Sequence, residues 1–286
     1  MPNVAVLTDS TASIPEEILT RLNIHTVAFY IHRGQEVLRD LVSIQRQEFL
    51  NWLATAKVLP TTACPGPGDY LESYRELAAQ GTREIISIHM TSKGSGAFQA
   101  ASMAETMLKE EYPEVRVEVV DTQNVSLCQG LLTIEAARTA LAGIRLDEIT
   151  ARIRKMIPST HMLQTADTLK YLYLGGRIGK AKKLVGSLLN IKPLIGMQEG
   201  VIVPLGQARS RTQVYRMMLD RVEASVGRGK LKIAYVHAGA QQEVEKIKQM
   251  LETRLEVAES FIAELSPALA VHTGPGTTGL CYLETP

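Results

Sequence analysis

Glu84-Ile85-Ile86-Ser87-Ile88-His89-Met90-Thr91-Ser92-Lys93-Gly94-Ser95-Gly96 reads as a buried strand that breaks into a hydroxyl- and glycine-rich turn. The apolar run at 84–89 has the length and the isoleucine content of a strand. A helical pattern at 96–109 follows almost at once. A continuous apolar strand feeding a helix is the first half of a βαβ unit, and such units build parallel sheets covered on both faces. Gly94 and Gly96 permit a tight turn. Ser95 stands at the opening of the helix, where free amides and the dipole favour an anion. It also reads as an ordinary helix N-cap, and this segment alone does not separate the two.

The same grammar extends to either side. Residues 4–7 predict a strand ending in Thr8-Asp9-Ser10-Thr11, and Ser13 is expected to cap a helix with Pro15, Glu16 and Glu17 in its first turn. A second strand is expected at 24–30, a helix after Ser43 through Leu53, a strand at 115–120 ending at Asp121, and a helix at 125–141. Thr61-Thr62-Ala63-Cys64-Pro65-Gly66-Pro67-Gly68-Asp69 reads as a stiff loop leading into a helix, with Asp69 as its cap. Ligands of open parallel sheets bind beyond the carboxyl ends of the strands, where Thr8 to Thr11, Thr91 to Gly96 and Asp121 to Asn124 fall.

Beyond Ser159 the pattern changes. A short strand at 162–165 precedes helical pieces around Gly175-Gly176-Arg177. Strands at 191–196 and 201–205 flank Glu199-Gly200 as a hairpin. A helix from Thr212, a strand at 232–237, a helix at 241–255 and strands at 258–265 and 280–284 follow. The expected fold class is therefore α/β. An N-terminal, mainly parallel α/β domain over 1–160 joins a C-terminal α+β domain over 161–286.

Composition sets the outer limits. The 286 residues suggest two domains at about 150 residues each. Thirty-one basic against thirty acidic residues leave a net charge of +1, so no one-signed field points to nucleic acid, and membrane contact is at most transient. Hydrophobic residues at 45% and charged residues at 21% are those of a soluble globular chain. Aromatics are only 5%, so an apolar cavity would be walled mainly by aliphatic side chains and Met. The amino-terminal run has no basic region and is interrupted by Asp9, which reads as a strand and not a signal peptide. The charge-free stretch at 265–283 holds Pro267, Pro275, three glycines and His272, which rules out a lipid-facing helix. Cys64, Cys128 and Cys281 have no metal or disulfide spacing, so reduced thiols, no metal and a cytoplasmic location are expected.

Two glycine motifs fail as nucleotide sites. Leu174-Gly175-Gly176-Arg177-Ile178-Gly179-Lys180 misses the phosphate-loop spacing, and Ala181 follows the Lys. Gly274-Pro275-Gly276-Thr277-Thr278-Gly279 matches a dinucleotide fingerprint, but too little chain follows for a βαβ unit. What remains is Arg177 with its guanidinium free for an anion, and His272-Thr273 just before the second turn. Taken alone, Arg177 also reads as a surface charge, and a lone His such as His272 is more often a structural residue. Lys180, Lys182 and Lys183 read as a solvated face. Arg209 and Arg211, directly after the hairpin, read as a docking patch or as ordinary surface charge.

Together the clusters resemble the DegV family. Thr8-Asp9-Ser10-Thr11, Thr61-Thr62 with Pro65 to Asp69, Ser92 to Gly96, Leu174 to Ile178, Asn190-Ile191-Lys192-Pro193 and His272 to Gly276 stand in that family's order, across essentially the whole chain. The resemblance implies a bacterial, cytoplasmic, non-catalytic lipid-binding protein that carries a long-chain fatty acid as its ligand between the two domains, its tail in a buried apolar tunnel, with no other cofactor. It further implies a role as the acyl-carrying subunit of a fatty acid kinase, partnered by a separate ATP-dependent subunit that forms the acyl-phosphate. Carried over by residue, Thr62 and Ser95 would hold the carboxylate, with Arg177 and His272 around the head group. Arg209 and Arg211 would meet the kinase partner. Hydroxyls, helix amides, a guanidinium and an imidazole are all donors a carboxylate can use. The chain departs from the family's common Thr-Ser-Gln-Pro at Ala63 and Cys64, and from its Gly-Leu at Lys93-Gly94, which bears on acyl-chain preference. Two other readings stay open. One is a hydrolase of lipid esters or acyl-phosphates, with Ser95 as nucleophile, His272 as base and Asp9 or Asp121 orienting it. The other is a carrier or sensor of another carboxylated lipid.

Overall fold

The computed structural model describes residues 4–187, 191–226 and 230–285; Asn190 lies outside the described residues. The first half contains β1 (Val4–Asp9), α1 (Glu16–Leu22), β2 (Ile24–Val27), β3 (Tyr30–Arg33), β4 (Glu36–Arg39), α2 (Arg46–Leu53) and β5 (Thr61–Ala63). It continues with α3 (Pro67–Ala79), β6 (Glu84–His89), α4 (Ala97–Glu111), β7 (Arg116–Asp121), α5 (Leu127–Leu141) and α6 (Leu146–Met156). The second half holds β8 (Thr160–Thr165), α7 (Lys170–Leu174), β9 (Lys192–Gln198), β10 (Val201–Ala208) and α8 (Arg211–Ser225). It ends with β11 (Lys230–His237), α9 (Gln241–Glu252), β12 (Val257–Glu264), α10 (Pro267–Thr273) and β13 (Thr278–Thr285).

β1 and β6 are the middle strands of a parallel sheet of order β2-β1-β6-β7. Alternate side chains enter two cores. Ala5, Leu7 and Ile85 pack with Tyr74 of α3 and Ala101 of α4, whereas Val4, Val6, Ile86 and Ile88 pack with Ile18, Leu132 and Ile149 from α1, α5 and α6. A sheet covered on both faces explains why these strands read as unbroken apolar runs. The chain leaves β1 toward one edge and β6 toward the other, so their carboxyl ends flank a crevice at the switch point.

The second half forms a six-stranded mixed sheet of order β10-β9-β8-β13-β11-β12, antiparallel except for the β11–β12 pair. One face packs Leu231, Ile233 and Tyr235 with Val214 of α8 and Val244 of α9. The other face carries Ala234, Val236 and Cys281 into the core of the first half. Helix α5 lies between the two sheets, packed on β1 and β6 on one side and on β13 and β11 on the other. It is buried at twelve of its fifteen positions, as a helix without a water-facing side must be. Among the described residues no helix is long and apolar enough to cross a membrane.

Several local expectations give way. The strand expected at 24–30 splits. Phe29 gives its amide to the Ser10 hydroxyl (3.0 Å) and accepts from the Asp40 amide (2.8 Å), which ends the parallel ladder. Tyr30 then starts a three-stranded antiparallel sheet of order β4-β3-β5. The loop expected at Thr61–Ala63 is the strand β5, paired with β3. Ser13 does not cap α1. It sits in the left-handed region (φ 55°), Pro15 occupies the N-cap position, and the Ser13 hydroxyl accepts from the Ser266 amide at 3.0 Å. Ser43 binds the Arg39 amide, and α2 starts at Arg46. Helix α10, capped by Ser266 and opened by Pro267, forms where the sequence pattern predicts no element.

Candidate functional site

The turn after β6 is wound by its own side chains. Thr91 receives the Lys93 amide on its hydroxyl and the Gly94 and Ser95 amides on its carbonyl. Ser95 Oγ accepts from the Ala97 amide at 3.3 Å, so Ser95 binds the first helical amide of α4 although Gly96 is the N-cap. The hairpin tip between β9 and β10 closes over this turn. Thr91 Oγ1 donates to the Gly200 carbonyl at 3.0 Å, and Lys93 Nζ donates to the Glu199 carbonyl at 2.8 Å.

Thr62 is placed by β5, where it pairs with Ile31, and its hydroxyl shares a 2.8 Å hydrogen bond with His272 Nε2. His272 stands in the last turn of α10, and its other ring nitrogen, Nδ1, is buried without a partner. Burial, then the nearby Arg177 charge, lowers the His272 pKa to about 4, so the ring is neutral at neutral pH and keeps one N–H. Gly175 and Gly176 end α7. The Arg177 amide returns to the Leu172 carbonyl (3.0 Å) around Gly176 at φ 70°, a glycine C-cap. Arg177 Nη1 donates to the Gly175 carbonyl at 2.8 Å.

Thr62, Ser95, Arg177 and His272 all border one cavity of about 450 Å³, within the range of small-molecule sites. Its apolar wall draws Phe29, Met90 and Val125 from the first half and Met162, Ile195 and Leu269 from the second. Phe29 is the one Phe, Tyr or Trp among the described lining residues. Thr273, with a buried unpartnered hydroxyl, Cys64 and Thr11 also line it; they belong to the motifs quoted above but carry no binding role there, and Ser126 and Gln164 line it without any motif that singles them out. Only their polarity within apolar surroundings would have drawn attention to them.

Other expected groups go elsewhere. Arg211 does not stand free: it pairs with Asp167 (2.8 Å) and donates to the Gly276 carbonyl (2.7 Å) and the Thr278 hydroxyl (3.2 Å). Arg209 is exposed. The acid-base relay of the hydrolase reading does not assemble. His272 Nε2 faces Thr62, and no hydrogen bond among the described residues joins it to Ser95. Asp121 binds the Ser92 and Gln123 amides. Asp9 holds His89 Nδ1 at 2.9 Å, and His89 Nε2 meets Ser87 at 2.7 Å. That Asp-His-Ser chain is fully buried between the sheet and α3, and it ends on the Tyr74 hydroxyl, so it braces the core.

The described architecture has close counterparts. The solved structure of a fatty-acid-binding DegV family protein from Thermus thermophilus is 31% identical, with a TM-score of 0.91 over 99% of each chain. The structure of DegV from Bacillus subtilis, a fatty acid binding protein, is 28% identical, with a TM-score of 0.86 over 100% of each chain. A DegV domain-containing protein of Streptomyces coelicolor is 32% identical over 97% of each chain. The model of the family described as uncharacterised protein, DegV family, matches residues 3–285. The chain belongs to the DegV family.

Proposed function

We propose that this protein binds a long-chain fatty acid, with its tail in the apolar cavity and its carboxylate among Thr62, Ser95, Arg177 and His272. The observation that carries this reading is the cavity itself. A mostly aliphatic wall assembled from both halves suits a hydrocarbon, and the two hydroxyls, the guanidinium and the imidazole suit one carboxylate. The neutral imidazole serves as a hydrogen-bond partner of Thr62, and the charge opposite the carboxylate comes from Arg177. Relatives of the same fold that bind fatty acids support the choice of ligand.

In this reading the chain is a non-catalytic, cytoplasmic carrier whose units are 1–160 and 161–286. It presents the bound carboxylate to a separate kinase subunit, where a carboxylate oxygen takes the terminal phosphoryl group of ATP and ADP leaves. Arg209 is the cation available for docking, since Arg211 is already committed to Asp167. Mass spectrometry of a solvent extract of the purified protein should show a fatty acid, and the delipidated protein should bind one. An extract without fatty acid, together with no binding after delipidation, overturns the reading. Thr62→Ala combined with Ser95→Ala should weaken binding, and unchanged affinity would remove those two residues from it.

A further inference from the structure

Ser95 is half-buried at the cavity, and among the described residues its hydroxyl only accepts, from the Ala97 amide. Its proton is therefore free for a ligand. What holds Ser95 in place is Thr91. The Thr91 carbonyl takes the Gly94 amide at 3.0 Å and the Ser95 amide at 3.3 Å, and the Thr91 hydroxyl takes the Lys93 amide at 3.3 Å. Thr91 is buried, and its own amide is fixed on the Asn124 carbonyl at 2.8 Å. Its single hydroxyl proton leaves this turn altogether. It goes to the Gly200 carbonyl at 3.0 Å, in the two-residue tip of the β9–β10 hairpin. Glu199 and Gly200 sit at φ 50° and 78°, the left-handed pair that closes such a hairpin. A Cβ on Gly200 would overlap the Thr91 hydroxyl oxygen, so a glycine is what lets the tip come this close. Lys93 adds a second tie, from Nζ to the Glu199 carbonyl at 2.8 Å. Among the described residues, these are the two hydrogen bonds that join the hairpin to the first half. Thr91, Lys93, Ser95 and Gly200 all border the cavity.

We propose that Thr91 is a positioning residue, which sets the Ser95 hydroxyl on the ligand carboxylate and does so through the hairpin tip of the second half. The inference rests on the fatty-acid reading and adds Thr91, Lys93 and the tip at 199–200 to its site. A donor already aimed at its acceptor loses less freedom on binding, so the turn that holds Ser95 still adds to affinity. That turn is complete only while the tip is seated. With the tip displaced, the Thr91 hydroxyl proton has no acceptor in its own turn, and a buried donor does not stay unpaired. Rotation of the Thr91 side chain toward another acceptor takes its oxygen off the Lys93 amide and loosens the chain beside Ser95. The head group is then held less firmly, which shows mainly as faster dissociation.

The test is a double-mutant cycle on the delipidated full-length protein, read with cis-parinaric acid, a fluorescent long-chain fatty acid. Equilibrium titration gives the affinity, stopped-flow mixing gives the dissociation rate, and thermal melts confirm that each variant is folded. Thr91→Val keeps the shape and removes the hydroxyl, and it should weaken binding by about tenfold. Thr91→Ser restores the hydroxyl and should bind like the parent protein. Gly200→Ala breaks the same contact from the other half and should weaken binding to a similar degree. Lys93→Met changes an exposed side chain, so it folds even where the other two fail, and it should speed dissociation by about threefold. In a Ser95→Ala background all three losses should nearly vanish, because they pass through Ser95. Unchanged binding in these variants, no rescue by Thr91→Ser, or an equal loss with and without the Ser95 hydroxyl overturns this inference and leaves the fatty-acid reading standing. A parent protein that binds no parinaric acid overturns both.

Discussion

Gly175 and Gly176 are adjacent and do different work. A Cβ on Gly175 would overlap His272 Nδ1 and reach 3.0 Å from the Tyr171 carbonyl, so the absent side chain makes room for the imidazole. A Cβ on Gly176 would meet nothing within 4 Å, but its φ of 70° penalises any L side chain by about 1–2 kcal/mol. Gly175→Ala should therefore push the ring away from Thr62 and weaken fatty-acid binding by about tenfold, the scale of one lost hydrogen bond. Gly176→Ala should lower the melting temperature and affect binding less. Titration and thermal melts of the two variants side by side check the contrast. The imidazole leaves its own mark on acid stability. Its pKa falls from 6.5 unfolded to about 4 folded, so its contribution is intact above pH 6.5 and is lost as the pH drops toward 4. His272→Gln should flatten the loss of melting temperature across that window. A slope identical to that of the parent protein would show the ring to be free to protonate.

At the scale of elements, α10 is held at both ends. Its last turn carries His272, and its first turn rests on Asp40, whose carboxylate accepts from the Ala268 amide at 3.1 Å. Asp40 is buried, and burial raises its pKa from 3.8 to about 6 against the opposing pull of Ser10, Ala268, Ser266 and Arg46. The sign is the reverse of that for His272. The folded state holds this proton more tightly, so stability from Asp40 is full below pH 3.8 and is lost as the pH rises through about 6, worth about 3 kcal/mol. Asp40→Asn keeps an acceptor for Ala268 and should gain melting temperature relative to the parent between about pH 4 and pH 7. A constant difference across that range would refute the assignment. Asp40 and Ala268 are 228 positions apart, which is why sequence periodicity does not expose such a brace. Strand β6 and helix α4 are legible because their signals are local: β6 is an unbroken buried run, and α4 buries Ala97, Ala100, Ala101, Ala104 and Leu108 at a period of 3.6. Strand β5 is three residues long, and only its distant partner Ile31 makes Thr62 a strand residue. The hydroxyls at 62 and 95 stand out through the ordered motifs, whereas their meeting with His272, 210 positions beyond Thr62, is a product of the fold. Gln164 passes unnoticed because one polar residue at the end of Met162-Leu163-Gln164-Thr165 has no periodic signature.

For the whole molecule, α5 decides whether the two halves can part. Near its start the buried Cys128 thiol lies beside Cys281 of β13, and burial, then that neighbour, pushes the thiol pKa well up. Near its end Glu135 pairs with Lys232 of β11 at 2.7 Å, and Arg138 pairs with Glu259 of β12 at 2.5 Å. Between them, core residues of both sheets pack in one continuous cluster, so either half unfolding alone would strip the apolar cover from the other. The protein should accordingly melt in one transition. Leu283→Ala provides the test, since Leu283 is fully buried on β13 and the sole tryptophan, Trp52, lies in α2 of the first half. The deletion should cost about 2–5 kcal/mol and move the midpoint by Trp52 fluorescence as far as the midpoint by far-ultraviolet circular dichroism. A Trp52 midpoint that stays put would show that the halves melt separately. Because the cavity wall comes from both halves, a bound fatty acid adds its binding free energy to the same folded state. Saturating ligand should therefore raise both midpoints together, and should recover part of the Leu283→Ala loss at a site where it touches nothing.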